Sequence, residues 1–251
     1  MSPRGYIIYR GPSLLNGQPI VCVALTVSDN RKTGAMGQTY ILADNGERPT
    51  DAMRTGADVA ICGDCKHRFV NGRTCYVVVR QGATAVWEAL RRGNYPDRTQ
   101  DPEFASYALL NGMARLGTYG DPAAVPVGVW RALTSKLSSW VGYTHQWREP
   151  LARPLREFCM ASVDSPAEMS LAHMLGWRTF RVRAAAEPLE RREAVCPASN
   201  EGGHKLQCST CRACNGARGQ RGNIAIIVHG NWPEHRAARF LASRATEAEA
   251  A

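Results

Sequence analysis

Apolar residues fall into two rhythms along the chain. Over the first third they form short runs bounded by turn residues: PIVCVALTV (19–27), QTYILAD (38–44), DVAI (58–61) and CYVVVR (75–80), each predicting a strand. A polar, glycine-containing loop, SDNRKTGAMG, separates the first two. ATAVWEALRRG (83–93) then places apolar residues at helical spacing and ends on Gly93, a natural C-cap, so a helix is predicted there.

From about residue 113 short apolar runs alternate with helix-like stretches. MARLGTYG (113–120) leads to a predicted helix over 123–137, and SWVGYTH (139–145) to a short helical piece over 150–156. FCMASVDS (158–165) leads to PAEMSLAHMLG (166–176), then TFRVR (179–183), and IAIIVHG (224–230) is the last strand. Parallel strands need helical crossovers, so this alternation predicts an α/β fold with a parallel sheet, a whole or partial (β/α) barrel. The pattern reads as a single domain over 1–230, with a helical tail over 231–251 that ends acidic and alanine-rich and carries no assigned function.

If the sheet is barrel-like, the loops after its strands build the site. Those loops carry Tyr119, Gly120 and Asp121, then Tyr143 and His145, then Asp164 and Ser165, and finally His229. Asp121, His145 and Asp164 are the candidate catalytic residues. Asp121, Asp164 and His229, scattered over three strand ends, also permit a magnesium nuclease.

Composition adds cysteine and charge to this outline. The hydrophobic content of 44% is enough for one large α/β domain or two small ones. No run of about 18 apolar residues exists, and MSPRGYIIYRGPS lacks the features of a secretory signal, so a cytoplasmic protein without a membrane partner is expected. In a reducing compartment, nine cysteines are free for metals or catalysis. Cys22 and Cys159 stand alone in apolar runs, as buried thiols do. The other seven form two groups: Cys62, Cys65 and Cys75 in the loop 61–77, and Cys196, Cys208, Cys211 and Cys214 in the segment 195–215.

A CxxC turn lets two thiolates grip one ion, and Cys75 can return as a third ligand. With His67 the first group completes a tetrahedral zinc site; without it, three thiolates leave one position open, as in an iron-sulfur cluster that binds a substrate or cofactor. The second group, CxxCxxC with a fourth cysteine upstream, suits structural zinc or a closed 4Fe-4S cluster, with its spacing nearer the iron-sulfur kind. The formal charge of +9, carried by arginines such as Arg181, Arg183, Arg191, Arg192, Arg212, Arg218 and Arg221, favours a polyanionic partner. Arg181 and Arg183, on a strand expected to face the barrel mouth, either hold phosphate or carboxylate or form a solvated strand end.

Taken together, ICGDC with HR and CYV, RLGTYGDP, GYTHQW, MASVDS, GWRTFRV, CPAS and CSTCRAC resemble a group of bacteriophage radical-SAM-like iron-sulfur proteins over roughly residues 11–230. The resemblance implies a partial barrel of radical-SAM type in which Cys62, Cys65 and Cys75 ligate a 4Fe-4S cluster. That cluster would bind S-adenosylmethionine and cleave it reductively with an external electron donor. Gly117, Gly120 and Asp121 would lie where the family contacts the methionine part of the cofactor, and Cys196, Cys208, Cys211 and Cys214 would carry a second cluster or zinc. The chain departs from the usual CxxxCxxC signature, having CxxC with a distant third cysteine. Phage proteins of this kind act as isomerases in thymidine hypermodification, moving an amino acid such as glycine from a nitrogen to a carbon attachment. The expected substrate is modified thymidine in DNA, or the nucleotide, in a host cytoplasm, and the expected outcome is evasion of restriction. The competing reading is a zinc-dependent nucleic-acid-binding or replication protein without catalysis.

Overall fold

Three antiparallel strands open the chain: β1 (Gly5–Pro12), β2 (Pro19–Leu25) and β3 (Gly37–Ala43). The structure is a computed structural model that describes residues 3–28, 30–217, 222–229 and 233–249. All seven residues of β3 are buried, because it pairs on both edges, with β2 and with the parallel strand β4 (Met113–Tyr119). Strands β5 (Ser139–Thr144), β6 (Met160–Val163), β7 (Thr179–Arg183) and β9 (Asn223–Ile227) continue the parallel run, and β8 (Glu193–Val195) closes it. The order is β1-β2-β3-β4-β5-β6-β7-β9-β8, an α/β sheet of nine strands, mostly parallel, whose edge strands do not meet.

Helices α1 (Pro49–Thr55), α2 (Val59–Cys62), α3 (Gly82–Arg91) and α4 (Glu103–Ala108) lie between β3 and β4. A 3-10 turn (Pro122–Ala124) and α5 (Val127–Thr134) stand where one helix over 123–137 is predicted; a 3-10 segment (Pro150–Glu157) follows β5. Helix α6 (Pro166–Met174) starts after Ser165, whose Oγ accepts from Glu168 N at 3.1 Å, while Glu168 Oε2 accepts from Asp164 N at 2.6 Å. This S-x-x-E exchange satisfies amides at the helix start and fixes the end of β6. The remaining helices are the short α7 (Cys208–Cys211) and the C-terminal α8 (Pro233–Glu249). Among the described residues no helix is long and apolar enough to cross a membrane.

The period of two along the strands separates two cores. Ala114, Leu116, Trp140, Ala161 and Val163 pack with Trp130 and Leu133 of α5 in the larger one. Met113, Val141, Met160, Phe180, Ile224 and Ile226 form the smaller one, with Cys196 and Cys214.

Two predicted strands are absent. DVAI is a turn of helix (α2), because so short an apolar run does not distinguish a strand from a buried helical turn. CYVVVR is irregular: both edges of β3 are already taken by β2 and β4, and the segment runs along the central cavity instead of joining an outer edge of the sheet. The predicted last strand ends at Ile227; its final residue, Gly230, lies outside the described residues, as do Arg218 and Arg221.

Arg181 and Arg183 do not face the site. They alternate with Phe180 and Val182, which border the central cavity, and so point to the other side of β7. Arg181 is wholly buried, with Nε 2.8 Å and Nη2 2.6 Å from the Glu193 carboxylate; Arg183 pairs with Glu201 and donates to the Glu187 carbonyl at 2.6 Å. Both hold the β7–β9 connection in place.

Candidate functional site

The cysteine loop is shaped by polar contacts from within. Helix α2 stops at Gly63 (φ 58°, ψ −138°), where a Cβ would stand 2.8 Å from Gln146 Oε1. Arg68 is buried and donates to Asp58 Oδ1 through Nε (3.0 Å) and Nη2 (2.5 Å), to Gly56 O (2.7 Å) and to Gly63 O (3.2 Å). One guanidinium therefore ties both ends of α2 to the middle of the loop. Cys75 returns because its amide donates to His67 O at 3.0 Å, and Asn71 Nδ2 holds Cys65 O at 3.0 Å.

The three thiols are close enough to influence one another. Burial first, then Cys65 and Cys75, pushes the Cys62 thiol well up, whereas Cys75 is the exposed member of the three, its thiol raised by the surrounding protein. At neutral pH these groups are thiols, and any cation they bind must displace protons. Among the described residues no group of three or more His, Cys, Asp or Glu side chains is arranged to hold a metal ion.

Cys62, Cys65 and Cys75 border a cavity of about 490 Å³ at the C-terminal ends of the parallel strands. Gly117 to Asp121, Tyr143, His145, Ser162, Val182 and His229 border it from the strand ends, and Arg236, Arg239 and Phe240 from α8. Arg236 donates to the carbonyls of Thr74 and Cys75, and Phe240 is 1% exposed. The C-terminal tail is thus a wall of the cavity, docked on the cysteine loop.

The three candidate catalytic residues have different settings. Asp121 is buried and its carboxylate is fully engaged: Oδ1 accepts from Ala123 N (2.9 Å) and Thr144 Oγ1 (2.7 Å), and Oδ2 from His145 N (2.7 Å). Its own amide donates to Ile61 O at 2.7 Å. Asp121 therefore joins the ends of β4 and β5 to the cysteine loop. Burial pushes its carboxyl up, opposed by the nearby His145 and these hydrogen bonds.

Asp164 is buried beside the cavity, its Oδ2 2.9 Å from His67 Nε2 and 3.0 Å from Lys66 Nζ. Burial alone would raise this carboxyl; His67 and Lys66 outweigh burial and hold it well below the usual range. His67 Nδ1 is 2.5 Å from Thr74 Oγ1, so both ring nitrogens are engaged, and its ring lies edge-on to that of His145 at 5.1 Å. His145 and His67 border the cavity, linked through His67 to Asp164.

Gly117 and Gly120 have φ of +64° and +78°, and a Cβ on Gly120 would come within 2.7 Å of Ile41 Cβ. Glycine lets this loop close on β3 with its backbone toward the cavity.

The second cysteine group lies against the smaller core. Cys208 N donates to Lys32 O (3.1 Å) and Ser209 N to Thr33 O (3.0 Å), docking α7 on the β2–β3 loop. Arg178 gathers the carbonyls of Ala213, Gly216 and Gly222 at 2.6 to 2.9 Å. Burial pushes Cys214 up to about 12, against a hydrogen bond from Tyr143, and Cys196, Cys208 and Cys211 each act on it. Of this group only Cys208 reaches the cavity.

The sequence pattern does not single out Arg68, Gln146, Arg115 or Lys66. Arg68 and Lys66 lie in the cysteine loop beside His67, and Gln146 follows His145, so adjacency to the motif is the available signal. No protein-family model, curated protein or solved structure matches this chain.

Proposed function

We propose that the protein is a radical-SAM isomerase with a partial-barrel architecture of that type. Its substrate is thymidine carrying an amino acid such as glycine, in phage DNA, and it moves the attachment from nitrogen to carbon, protecting the DNA from restriction. One observation carries the reading: Cys62, Cys65 and Cys75 share a single cavity with Gly117 to Asp121, at the edge of the sheet where parallel strands end. The donor set supports a cluster in preference to a single ion. Each thiolate of a cluster holds a different iron, whereas four ligands of one zinc must converge within about 2.0 to 2.3 Å of it. With His67 engaged at both nitrogens, three thiols remain as ligands at this loop.

A 4Fe-4S cluster with S-adenosylmethionine would supply hydrogen abstraction from an unactivated carbon, which acid-base chemistry does poorly. The chain's own residues hold and shield the site. Arg68, Asp58 and Gln146 fix the loop, Asp121 locks it to two strand ends, and the glycines let the backbone of residues 117–120 border the ligand space. Helix α8 covers the cavity from the solvent side through Phe240. Cys196, Cys208, Cys211 and Cys214 would hold a second cluster or zinc. Anaerobic purification with iron and sulfide analysis tests the reading; a colourless protein containing zinc would favour the alternative, a nucleic-acid-binding protein without catalysis.

A further inference from the structure

Arg115 projects from the middle of β4 into the cavity and is 7% exposed. Its Nη2 donates to Tyr76 Oη at 2.7 Å and its Nε has no hydrogen-bond partner. Among the described residues no carboxylate pairs with it; the ionisable groups acting on it are Tyr76, Tyr143 and Cys208. A buried guanidinium is ordinarily matched by an anion, as Arg181 is by Glu193 and Arg68 by Asp58.

The surroundings of Arg115 share its sign. Lys32 borders the same cavity, its Nζ 3.3 Å from His229 Nε2, and burial, Lys32 and Arg115 together hold His229 neutral, down to about 4. The acidic residues of the wall, among those described, are Asp58 and Asp121, and both are already used, by Arg68 and by the Thr144 and His145 contacts. Flat groups adjoin the cations: Tyr76 stacks on His229 at 5.1 Å, and the Arg115 guanidinium lies 5.9 Å from the centre of the Tyr143 ring. Cations beside aromatic faces suit a ligand that has both an oxyanion and a planar ring system.

We infer that Arg115 and Lys32 form an oxyanion subsite that takes the phosphate or carboxylate of a nucleotide-sized ligand in the cavity. It replaces the anion-holding role expected of Arg181 and Arg183. The choice of thymidine derivatives as probes rests on the proposed function, but the subsite is read by binding and not by turnover.

The test is calorimetric titration of the full-length, anaerobically purified protein with thymidine 5′-monophosphate, thymidine and S-adenosylmethionine. At least one of the two probes that carry an oxyanion, the monophosphate or S-adenosylmethionine through its carboxylate, is expected to bind, and Arg115→Gln and Lys32→Met should each weaken it about tenfold or more. Arg31→Met, which removes an exposed charge nearby, should leave it unchanged. Preference for the monophosphate over thymidine assigns a phosphate; an effect confined to S-adenosylmethionine assigns its carboxylate. If Arg115→Gln does not fold, Lys32→Met decides. Failure of both oxyanion-bearing probes to bind, or affinities unchanged in the folded variants, would overturn the subsite. Iron-free protein that still shows the Arg115-dependent affinity would remove the radical chemistry and leave the subsite standing.

Discussion

Gln146 Nε2 lies 3.0 Å from the carbonyl oxygen of Cys62, so the residue that follows the candidate His145 holds the first cysteine of the loop. The same amide fills the space that a side chain on Gly63 would need. Replacing Gln146 with alanine removes one of the two hydrogen bonds to this carbonyl, which also accepts from Cys65 N at 3.2 Å, and opens room for the loop to shift. The expected cost is about 0.5 to 1.5 kcal/mol, read as a lower unfolding midpoint, with reduced metal retention in the purified protein.

Arg68 and Asp58 are the stronger anchor. Their side chains are 9% and 6% exposed, and the guanidinium also serves two carbonyls. Arg68→Ala leaves Asp58 buried without its partner, which should destabilise the fold by about 3 to 5 kcal/mol and abolish metal binding at the first cysteine group. Arg68→Lys should recover part of the stability but not all of it, because an ammonium cannot span the three acceptors. Denaturant unfolding with metal analysis checks both.

How much is legible in the sequence varies along the chain. The alternation after residue 113 exposes β4, β5, β6, β7 and most of β9, because each buried strand is followed by a polar turn and a segment of helical period. The segments 58–61 and 75–80 mislead, since apolar content alone does not distinguish a strand from a buried helical turn or from a segment that lines a cavity. The two cysteine groups are visible from spacing. Arg115 is not: in MARLGTYG it reads as the polar member of an alternating strand, and only the sheet order turns that face toward a covered cavity. Asp121 stands out as a polar residue at a strand end, but its work as a three-way anchor depends on Ile61 and Thr144, which no local pattern connects to it.

Gly120 tests the close approach of the β4 end to β3. With φ at +78° and Ile41 Cβ only 2.7 Å from where an added methyl would stand, Gly120→Ala combines backbone strain with overlap. A loss of about 1 to 3 kcal/mol is expected in thermal unfolding, whereas Gly128→Ala, where a Cβ meets nothing within 4 Å, should be tolerated.

Asp164 sets a pH dependence. Its carboxyl is held below the usual range in the folded state, so its contribution is present above the unfolded value near about 4 and is lost as pH falls from there toward the folded value. The stability gap between the wild type and Asp164→Asn should therefore narrow as pH falls below about 4. A gap that stays the same down to about pH 2.5 would mean that the pairing with His67 and Lys66 does not depress this carboxyl.

The central claim is that three thiols of the loop hold an iron-sulfur cluster open to S-adenosylmethionine. The most direct measurement is the paramagnetic resonance spectrum of the reduced, anaerobically purified protein, with and without that cofactor, alongside iron and sulfide analysis. The account predicts brown protein with several irons and sulfides per chain, a signal that shifts when S-adenosylmethionine is added, and loss of that shift in Cys62→Ala. Colourless protein containing zinc, or a cluster signal indifferent to the cofactor and unaffected by Cys62→Ala, would contradict it.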